Sequence, residues 1–190
     1  MLEDLKKIKE LSSIEDKNFF LKANFRKKDI LNVFNELKDN ELFNFDQLID
    51  ITAIDYPSRE KRFEIIYILL SMKKNKRIIL KTFINENESL DSITQIFNAS
   101  NWYERECYDL FGIKFNNHPD LRRIMTDYNF EGHPLRKDFP LTGHTEVRYD
   151  DLEKKVVYET VKLTQEYRYF DYSSPWEGMP NDIEDYNEQE

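Results

Sequence analysis

Two dense stretches hold most of the residue types that could do chemistry. Residues 104–124 read ERECYDLFGIKFNNHPDLRRI, and residues 131–143 read EGHPLRKDFPLTG. Carboxylates, arginines, histidines and the chain's one cysteine lie close together there, among aromatic residues and prolines. Such side chains could ligate a metal, activate a thiol nucleophile or transfer protons between carboxylates. They could equally bind a partner protein or hold irregular backbone in place.

A metal site is the first chemistry to consider. Its ligands would come from His118, His133, His144 and Cys107. No two of them lie at the short helical or turn spacing that is typical of zinc sites. His118 and His133 each precede a proline, which favours extended backbone, and a histidine there more often bonds a neighbouring carbonyl or carboxylate. The spacing therefore argues against a metal site.

A cysteine nucleophile would need a low thiol pKa, supplied by a cation or by a helix N-terminus. Cys107 instead lies within a predicted helix, close to Glu106 and Asp109, with Tyr103 and Phe111 one turn away. Acidic neighbours raise the pKa of a thiol, and aromatic neighbours bury it. We interpret Cys107 as a small core residue; a small hydrolase that pairs it with a histidine is the weaker alternative.

Paired carboxylates are the third candidate chemistry. Glu104 and Glu106 are two residues apart, so a helix directs them to different faces and they make poor partners for acid–base catalysis. We interpret Glu104, Arg105 and Glu106 as alternating charge that makes ion pairs, whereas composition alone favours a solvated helix face. Arg105 and Asp109 have the spacing of an i,i+4 ion pair.

The arrangement of the arginines and the lysine in the two stretches favours a role in holding backbone or a partner protein. They alternate with acids and apolar residues instead of forming a uniformly basic surface: Arg122, Arg123, Arg136 and Lys137, among Asp120, Asp127 and Asp138. Arginine binds carboxylates and carbonyls at two points, so these residues could pin irregular backbone to itself or to a partner. The tail concentrates residue types common at binding hot spots, namely Tyr167, Arg168, Tyr169, Phe170, Tyr172 and Trp176.

Composition narrows the class of protein. The net charge of −9 argues against a nucleic-acid partner and against adhesion to anionic lipid. One cysteine excludes an intrachain disulfide and an all-cysteine iron–sulfur site within the chain. The longest apolar run, 65–70, is too short to span a bilayer. The N-terminus lacks a signal core and an Arg/Ser-rich presequence, so we expect a soluble protein in a reducing compartment.

Hydrophobic periodicity predicts an α+β domain over residues 1–111, in which helices pack on a mixed sheet. The predicted helices are 2–11, one opening at Asp29 as its cap, 89–99 and 101–111, which Gly112 ends. The predicted strands are 18–23, 43–54, 63–72 and 77–84, the last two forming a hairpin. Strand 63–72 is apolar on both faces at its centre, so we expect a sheet covered on both sides.

After Gly112 the periodicity stops and prolines interrupt the chain. Residues 112–190 predict an extended, proline-punctuated interaction arm that ends in an acidic tail, with one hairpin from 147–149 and 155–163. Structureless arms of this length are unusual inside a compact monomer. We therefore expect another protein to supply the surface on which the arm lies.

The two stretches resemble the thirty-kilodalton subunit of respiratory complex I, the proton-pumping NADH:ubiquinone oxidoreductase. The positions of that family's pattern are filled here by Glu104-Arg105-Glu106, Asp109, Leu110-Phe111, His118, Arg122-Arg123 and Ile124. Residues 126–143 and 163–177 also resemble it, particularly its mitochondrial and alphaproteobacterial branch, and the resemblance spans about 43–177. Asn117 stands where the family commonly has glycine; asparagine tolerates positive φ, so we expect the turn to survive.

The resemblance implies a cofactor-free structural or assembly subunit in the peripheral arm, at the quinone module. FMN and iron–sulfur clusters would belong to partner subunits, and the partners would be the quinone-binding large subunit and the iron–sulfur subunits. No catalytic, cofactor-binding or metal residue is expected in this chain. An equivalent subunit of a related membrane hydrogenase or plastid-type complex is the alternative.

The resemblance also implies a location and a set of residues. We expect a peripheral protein on the matrix side of the mitochondrial inner membrane, encoded in the organelle, or alternatively on the cytoplasmic face of a bacterial inner membrane. The residues expected in interfaces or structural roles are Glu104, Arg105, Glu106, Asp109, His118, Arg122, Arg123, His133, Arg136, Lys137, Asp138, Tyr167, Arg168, Tyr169, Phe170 and Trp176.

Overall fold

The computed structural model describes residues 2–17 and 19–165. Contacts divide the chain into two units, Met1–Gly143 and His144–Glu190. Residues 112–143 thus fall in the same unit as the sheet. The predicted boundary between an α+β domain, 1–111, and an interaction arm, 112–190, stays a prediction about the protein within its complex. The predicted binding residues of the tail lie outside the described residues: Tyr167, Arg168, Tyr169, Phe170, Tyr172 and Trp176.

The first unit is an α+β structure, as predicted. Its elements in chain order are α1 (Leu2–Leu5), β1 (Leu11–Asp16), β2 (Phe20–Phe25), a 3₁₀ turn (Lys27–Asp29), α2 (Ile30–Asp39), β3 (Gln47–Asp55), β4 (Phe63–Ser71), β5 (Lys76–Ile84), β6 (Ser89–Asp91), α3 (Ser100–Phe111) and β7 (Lys114–Asn116). The second unit contains an antiparallel hairpin of β8 (Thr145–Asp150) and β9 (Lys155–Thr160).

Five strands form one mixed sheet in the order β1-β2-β5-β4-β3. Only the β2–β5 pair is parallel, and in the antiparallel β3–β4–β5 part Tyr67 lies between Ile51 and Leu80. One face of the sheet carries the core: Phe34 of α2 packs on Tyr67 with ring centroids 4.9 Å apart. Alternate residues of β4, such as Ile66 and Ile68, are only half-buried. The described residues therefore do not give the full cover of both faces of the sheet that the sequence predicts.

The two predicted hairpins and helix 101–111 are confirmed, but two predicted helices are wrong. The N-terminal helix ends at Leu5, because residues 11–16 pair with β2 as a strand. The segment predicted as helix 89–99 begins instead with β6, which pairs in parallel with β7. In both cases distant backbone partners override a local apolar spacing. Asp29 precedes α2 but makes no capping bond; its carboxylate accepts from Arg26 Nε at 2.7 Å.

Gly112 ends α3 and turns the chain back over that helix. Its φ is +79°, in the left-handed region, and its N–H bonds the carbonyl of Tyr108. A Cβ at this position would lie 2.5 Å from Arg136 Nη2 and 2.6 Å from His133 Nε2. Glycine is therefore required both by the backbone angle and by the close approach of these side chains.

Candidate functional site

The carboxylate of Asp109 is the centre of the candidate site. It is fully buried on α3 and accepts hydrogen bonds from the segment that follows the helix. Oδ2 accepts the backbone N–H groups of Ile124, Met125 and Thr126 at 3.0, 2.7 and 2.8 Å. Oδ1 accepts the Thr126 hydroxyl at 2.6 Å and Arg123 Nη1 at 2.7 Å. One carboxylate thus holds three consecutive residues of irregular backbone.

These bonds also determine the charge of Asp109. Burial alone raises the pKa of a carboxyl, but here the donors from Thr126, Arg123 and Ile124 outweigh burial and hold the pKa of Asp109 far below its usual range. A carboxylate that stays ionised throughout the ordinary pH range is a poor proton-transfer group. Asp109 is therefore suited to act as a fixed anion.

Two arginines also help to hold the segment that follows α3 against the helix. Arg105 is buried, and its Nε and Nη2 each donate at 3.1 Å, to the carbonyls of Arg122 and Arg123. Arg123 itself donates from Nη2 to the carbonyl of Gly132 at 3.0 Å. The predicted i,i+4 pair between Arg105 and Asp109 is wrong, because each residue finds its partners on the following segment.

Glu104 is fully buried, so the solvated face that composition alone favours for residues 104–106 is not found; Glu106 is half-buried. The Ile93 N–H donates to Glu104 Oε1 at 2.9 Å. His118 Nε2 lies 3.9 Å from Glu104 Oε2, too far for a hydrogen bond. Burial raises the pKa of Glu104 to about 7, although hydrogen bonds, such as that from Ile93, act in the opposite direction.

His118 is occupied on both ring nitrogens. Its side chain is fully buried. Nε2 lies 3.1 Å from the carbonyl of Asn101, and Nδ1 accepts the N–H of Asp120 at 3.0 Å. Since a carbonyl can only accept and an N–H can only donate, this geometry requires the proton on Nε2. His118 thus joins its turn to the first turn of α3.

A second anchor lies at the end of β3. The buried carboxylate of Asp55 accepts Arg62 Nε at 2.7 Å and Nη2 at 2.9 Å, and it accepts the backbone N–H of Lys137 at 2.8 Å. Burial raises the pKa of Asp55, but these donors outweigh it and leave the pKa below its usual value. Arg62 also pairs with Asp138 at 2.9 Å. Sequence reasoning missed Asp55 and Arg62, whose only signal is their position at facing strand ends.

Arg136 fastens the same segment to the end of α3. Its Nε donates to the carbonyl of Phe111 at 2.6 Å, and its Nη1 contacts Glu86 at 2.6 Å. His133 Nδ1 donates to the carbonyl of Asp109 at 2.8 Å, and burial lowers the pKa of His133, which favours the neutral ring. Both residues are among those expected in interfaces or structural roles, and within the described residues their partners lie in this chain.

The alternative chemistries gain no support in the part of the chain that the structure describes. There, no group of three or more His, Cys, Asp and Glu side chains is arranged to hold a metal. Cys107 is buried, and its Sγ donates to the carbonyl of Ile51 at 3.4 Å. Burial raises the pKa of the Cys107 thiol well above its usual value. The interpretation of Cys107 as a core residue is confirmed.

Comparison with known proteins agrees with the resemblance. Residues 23–145 match the family model of the respiratory-chain NADH dehydrogenase, 30 Kd subunit. A subunit of the NADH-quinone oxidoreductase from Hyphomonas neptunium is 59% identical over 143 residues, which cover 75% of this chain and 71% of that protein. Its counterpart of the same name from Paramagnetospirillum magneticum is 54% identical over 156 residues, 80% and 78% of the two chains.

Among solved structures, a chain of the membrane-bound sulfane sulfur reductase, an archaeal respiratory membrane complex, has the same fold. The TM-score is 0.64 at 23% identity, and the match covers 73% of this chain and 82% of that one. The family model covers more than half of the sequence, and the bacterial relatives are far more similar than fold alone requires. The chain therefore belongs to the family of the respiratory-chain NADH dehydrogenase 30 Kd subunit.

Proposed function

We propose that this chain is a cofactor-free structural subunit in the peripheral arm of a proton-pumping NADH:quinone oxidoreductase, next to its quinone module. It supports electron transfer from NADH to quinone without carrying electrons itself. Its family and the name of its bacterial relatives support the choice of complex. Relatives that are 54–59% identical favour this complex over a related membrane hydrogenase.

One observation carries the structural role: the buried charged residues at the centre of the two dense stretches hold the chain's own backbone. Asp109 holds residues 124–126, and Arg105 holds the carbonyls of Arg122 and Arg123. A catalytic group must reach a substrate or change its protonation during turnover. Asp109 does neither, since it is buried and its pKa lies far below neutrality. We infer that the site is a rigid support.

On this proposal, flavin and iron–sulfur clusters belong to partner subunits, and this chain contacts the quinone-binding large subunit and the cluster-bearing subunits. A support of this kind acts by keeping its neighbours in register, because substrate positioning tolerates little displacement. The reported relatives are bacterial, which favours the cytoplasmic face of a bacterial inner membrane; the mitochondrial matrix side stays a prediction. None of the described helices is long and apolar enough to cross a bilayer.

The test is to separate assembly from chemistry with the variant Arg136→Glu. The change removes the bond to the Phe111 carbonyl and places a carboxylate beside Glu86, so we expect the amount of assembled oxidoreductase on native gels to fall. NADH:quinone activity per assembled complex should stay unchanged. Lys73→Glu, at the exposed turn between β4 and β5, is the charge-matched control. Full assembly of the Arg136→Glu complex with lost activity would refute the structural role.

A further inference from the structure

The three arginines around Asp109 do different jobs. Arg105 and Arg123 are directed inward to backbone carbonyls. The Arg122 side chain is 55% exposed; its Nε contacts Asp120 at 2.8 Å and its Nη1 contacts the hydroxyl of Tyr128 at 3.3 Å. Within the described residues, Arg122 contributes its carbonyl to the attachment of the segment, and its guanidinium faces the surface.

Three large exposed side chains lie near Arg122 in the fold: Tyr128 contacts its Nη1, Trp102 packs against the guanidinium of Arg105, and Met125 follows three residues later in the chain. Trp102 is 62% exposed, Met125 66% and Tyr128 72%. The guanidinium of Arg105 lies 5.2 Å from the centroid of the Trp102 ring while it bonds the carbonyl of Arg122, so it connects the indole to the turn. We call Trp102, Arg122, Met125 and Tyr128 the Trp102 patch.

The backbone under the Trp102 patch is held rigidly. Trp102 lies in the first turn of α3, and the N–H of Met125 donates to the buried Asp109 carboxylate at 2.7 Å. Single exposed apolar residues need no explanation, but Trp102 is linked to Arg122 through Arg105, and Tyr128 contacts Arg122 directly. Tryptophan, tyrosine, arginine and methionine are the residues enriched at the centres of protein interfaces. Anchors whose backbone is already fixed lose less entropy on binding.

We propose that the Trp102 patch docks a partner protein chain that offers an apolar hollow to the indole and a carboxylate to Arg122. The proposal rests on the proposed function, because it names the surface through which the subunit joins the oxidoreductase. Asp120 and Tyr128 engage Nε and Nη1 of Arg122, and among the described residues no acceptor engages Nη2. An incoming carboxylate would complete the pairing of the guanidinium.

Electrostatics favours a carboxylate of another protein over nucleic acid, anionic lipid or a second copy of this chain as the ligand of the Trp102 patch. With a net charge of −9, the chain is repelled by nucleic acid and by anionic lipid. A second copy that bound through the same patch would bring two Arg122 guanidinium groups together across a twofold axis, which is unfavourable. A different polypeptide with an acidic residue beside an apolar hollow meets neither penalty.

The experiment is a competition in cells that assemble the whole oxidoreductase. Tagged wild-type or variant chain is co-produced with untagged wild-type chain, and mass spectrometry measures the ratio of the two in the purified complex, normalised to their soluble pools. Trp102→Ala and Arg122→Glu should each be incorporated at least tenfold less than tagged wild type. Met72→Ala and Lys73→Glu, exposed at the β4–β5 turn, should match wild type.

Thermal unfolding of each purified chain separates docking from folding. Both patch side chains are exposed, so the unfolding midpoints should stay near that of wild type; if Trp102→Ala misfolds, Arg122→Glu decides. Wild-type incorporation of both variants would overturn the patch and leave the proposed function intact. Failure of the tagged wild-type chain to enter the complex would overturn the proposed function instead. A photocrosslinker at Tyr128 should label another subunit; labelling of a second copy or of lipid would overturn the proposal.

Discussion

Replacing Glu104 with glutamine should stabilise the protein at pH 8 and leave its stability nearly unchanged at pH 4. Glu104 is fully buried, and His118 Nε2, 3.9 Å away, is too far to donate a hydrogen bond to it. Burial raises the pKa of Glu104 to about 7 in the folded chain, whereas in the unfolded chain it is about 4.3. The folded protein therefore holds a proton that the unfolded protein releases.

The sign and the size of the stability difference between Glu104→Gln and wild type follow from proton linkage. Between pH 4.3 and pH 7 the folded state binds more protons than the unfolded state, so the free energy of unfolding falls as pH rises. A difference in pKa of about 2.7, at roughly 1.4 kcal/mol for each unit, corresponds to about 4 kcal/mol by pH 8. Glutamine is neutral and keeps the acceptor for the Ile93 N–H. Glu104→Gln should therefore gain about 4 kcal/mol of stability relative to wild type at pH 8.

The assay is urea unfolding of both proteins at pH 4, 5, 6, 7 and 8. The difference between the two free energies isolates Glu104, because other titrating groups, such as His133, are common to both proteins. We expect that difference to grow with pH and to level off above pH 7. Equal stabilities at every pH, or a less stable variant at pH 8, would show that Glu104 is ionised at little cost in the folded protein.

Three further changes test the anchors and the core. Asp109→Asn should lower the free energy of unfolding by about 3–5 kcal/mol, since it leaves Arg123 and three backbone donors without their carboxylate. The difference from wild type should shrink as the pH falls below about 3.9, because the unfolded carboxyl then takes up a proton that the folded carboxyl, with its lowered pKa, does not. Gly112→Ala should cost about 2 kcal/mol in the same assay, from its left-handed backbone and its contact with Arg136. Cys107 should react with a thiol reagent only after unfolding, and Cys107→Ala should leave the activity per assembled complex unchanged; rapid labelling of the folded chain would contradict the burial.

Local sequence patterns determined the parts of the protein that depend on near neighbours. In the 63–84 hairpin, two apolar-rich strands are joined by a polar turn that the sequence itself shows. Helix α3 ends at Gly112, because glycine readily adopts the left-handed conformation found there. Cys107 was identified as a core residue from the aromatic residues one turn away. The motif of acids, arginines and histidines identified the family, because helix or strand formation alone does not require that combination of residues.

Tertiary structure decided the partners, because charges and strands pair with residues that are distant in the chain. Asp55 binds the backbone of Lys137, which follows it by 82 residues, and no spacing rule connects the two. Residues 89–91 become a strand because β7 returns beside them. Asp109 and Arg105 have the spacing of an ion pair, yet each makes stronger contacts with backbone that returns over α3. Sequence spacing shows which side chains could contact each other within one helix or strand. Only the folded chain determines whether they do so or bind groups that are distant in the sequence instead.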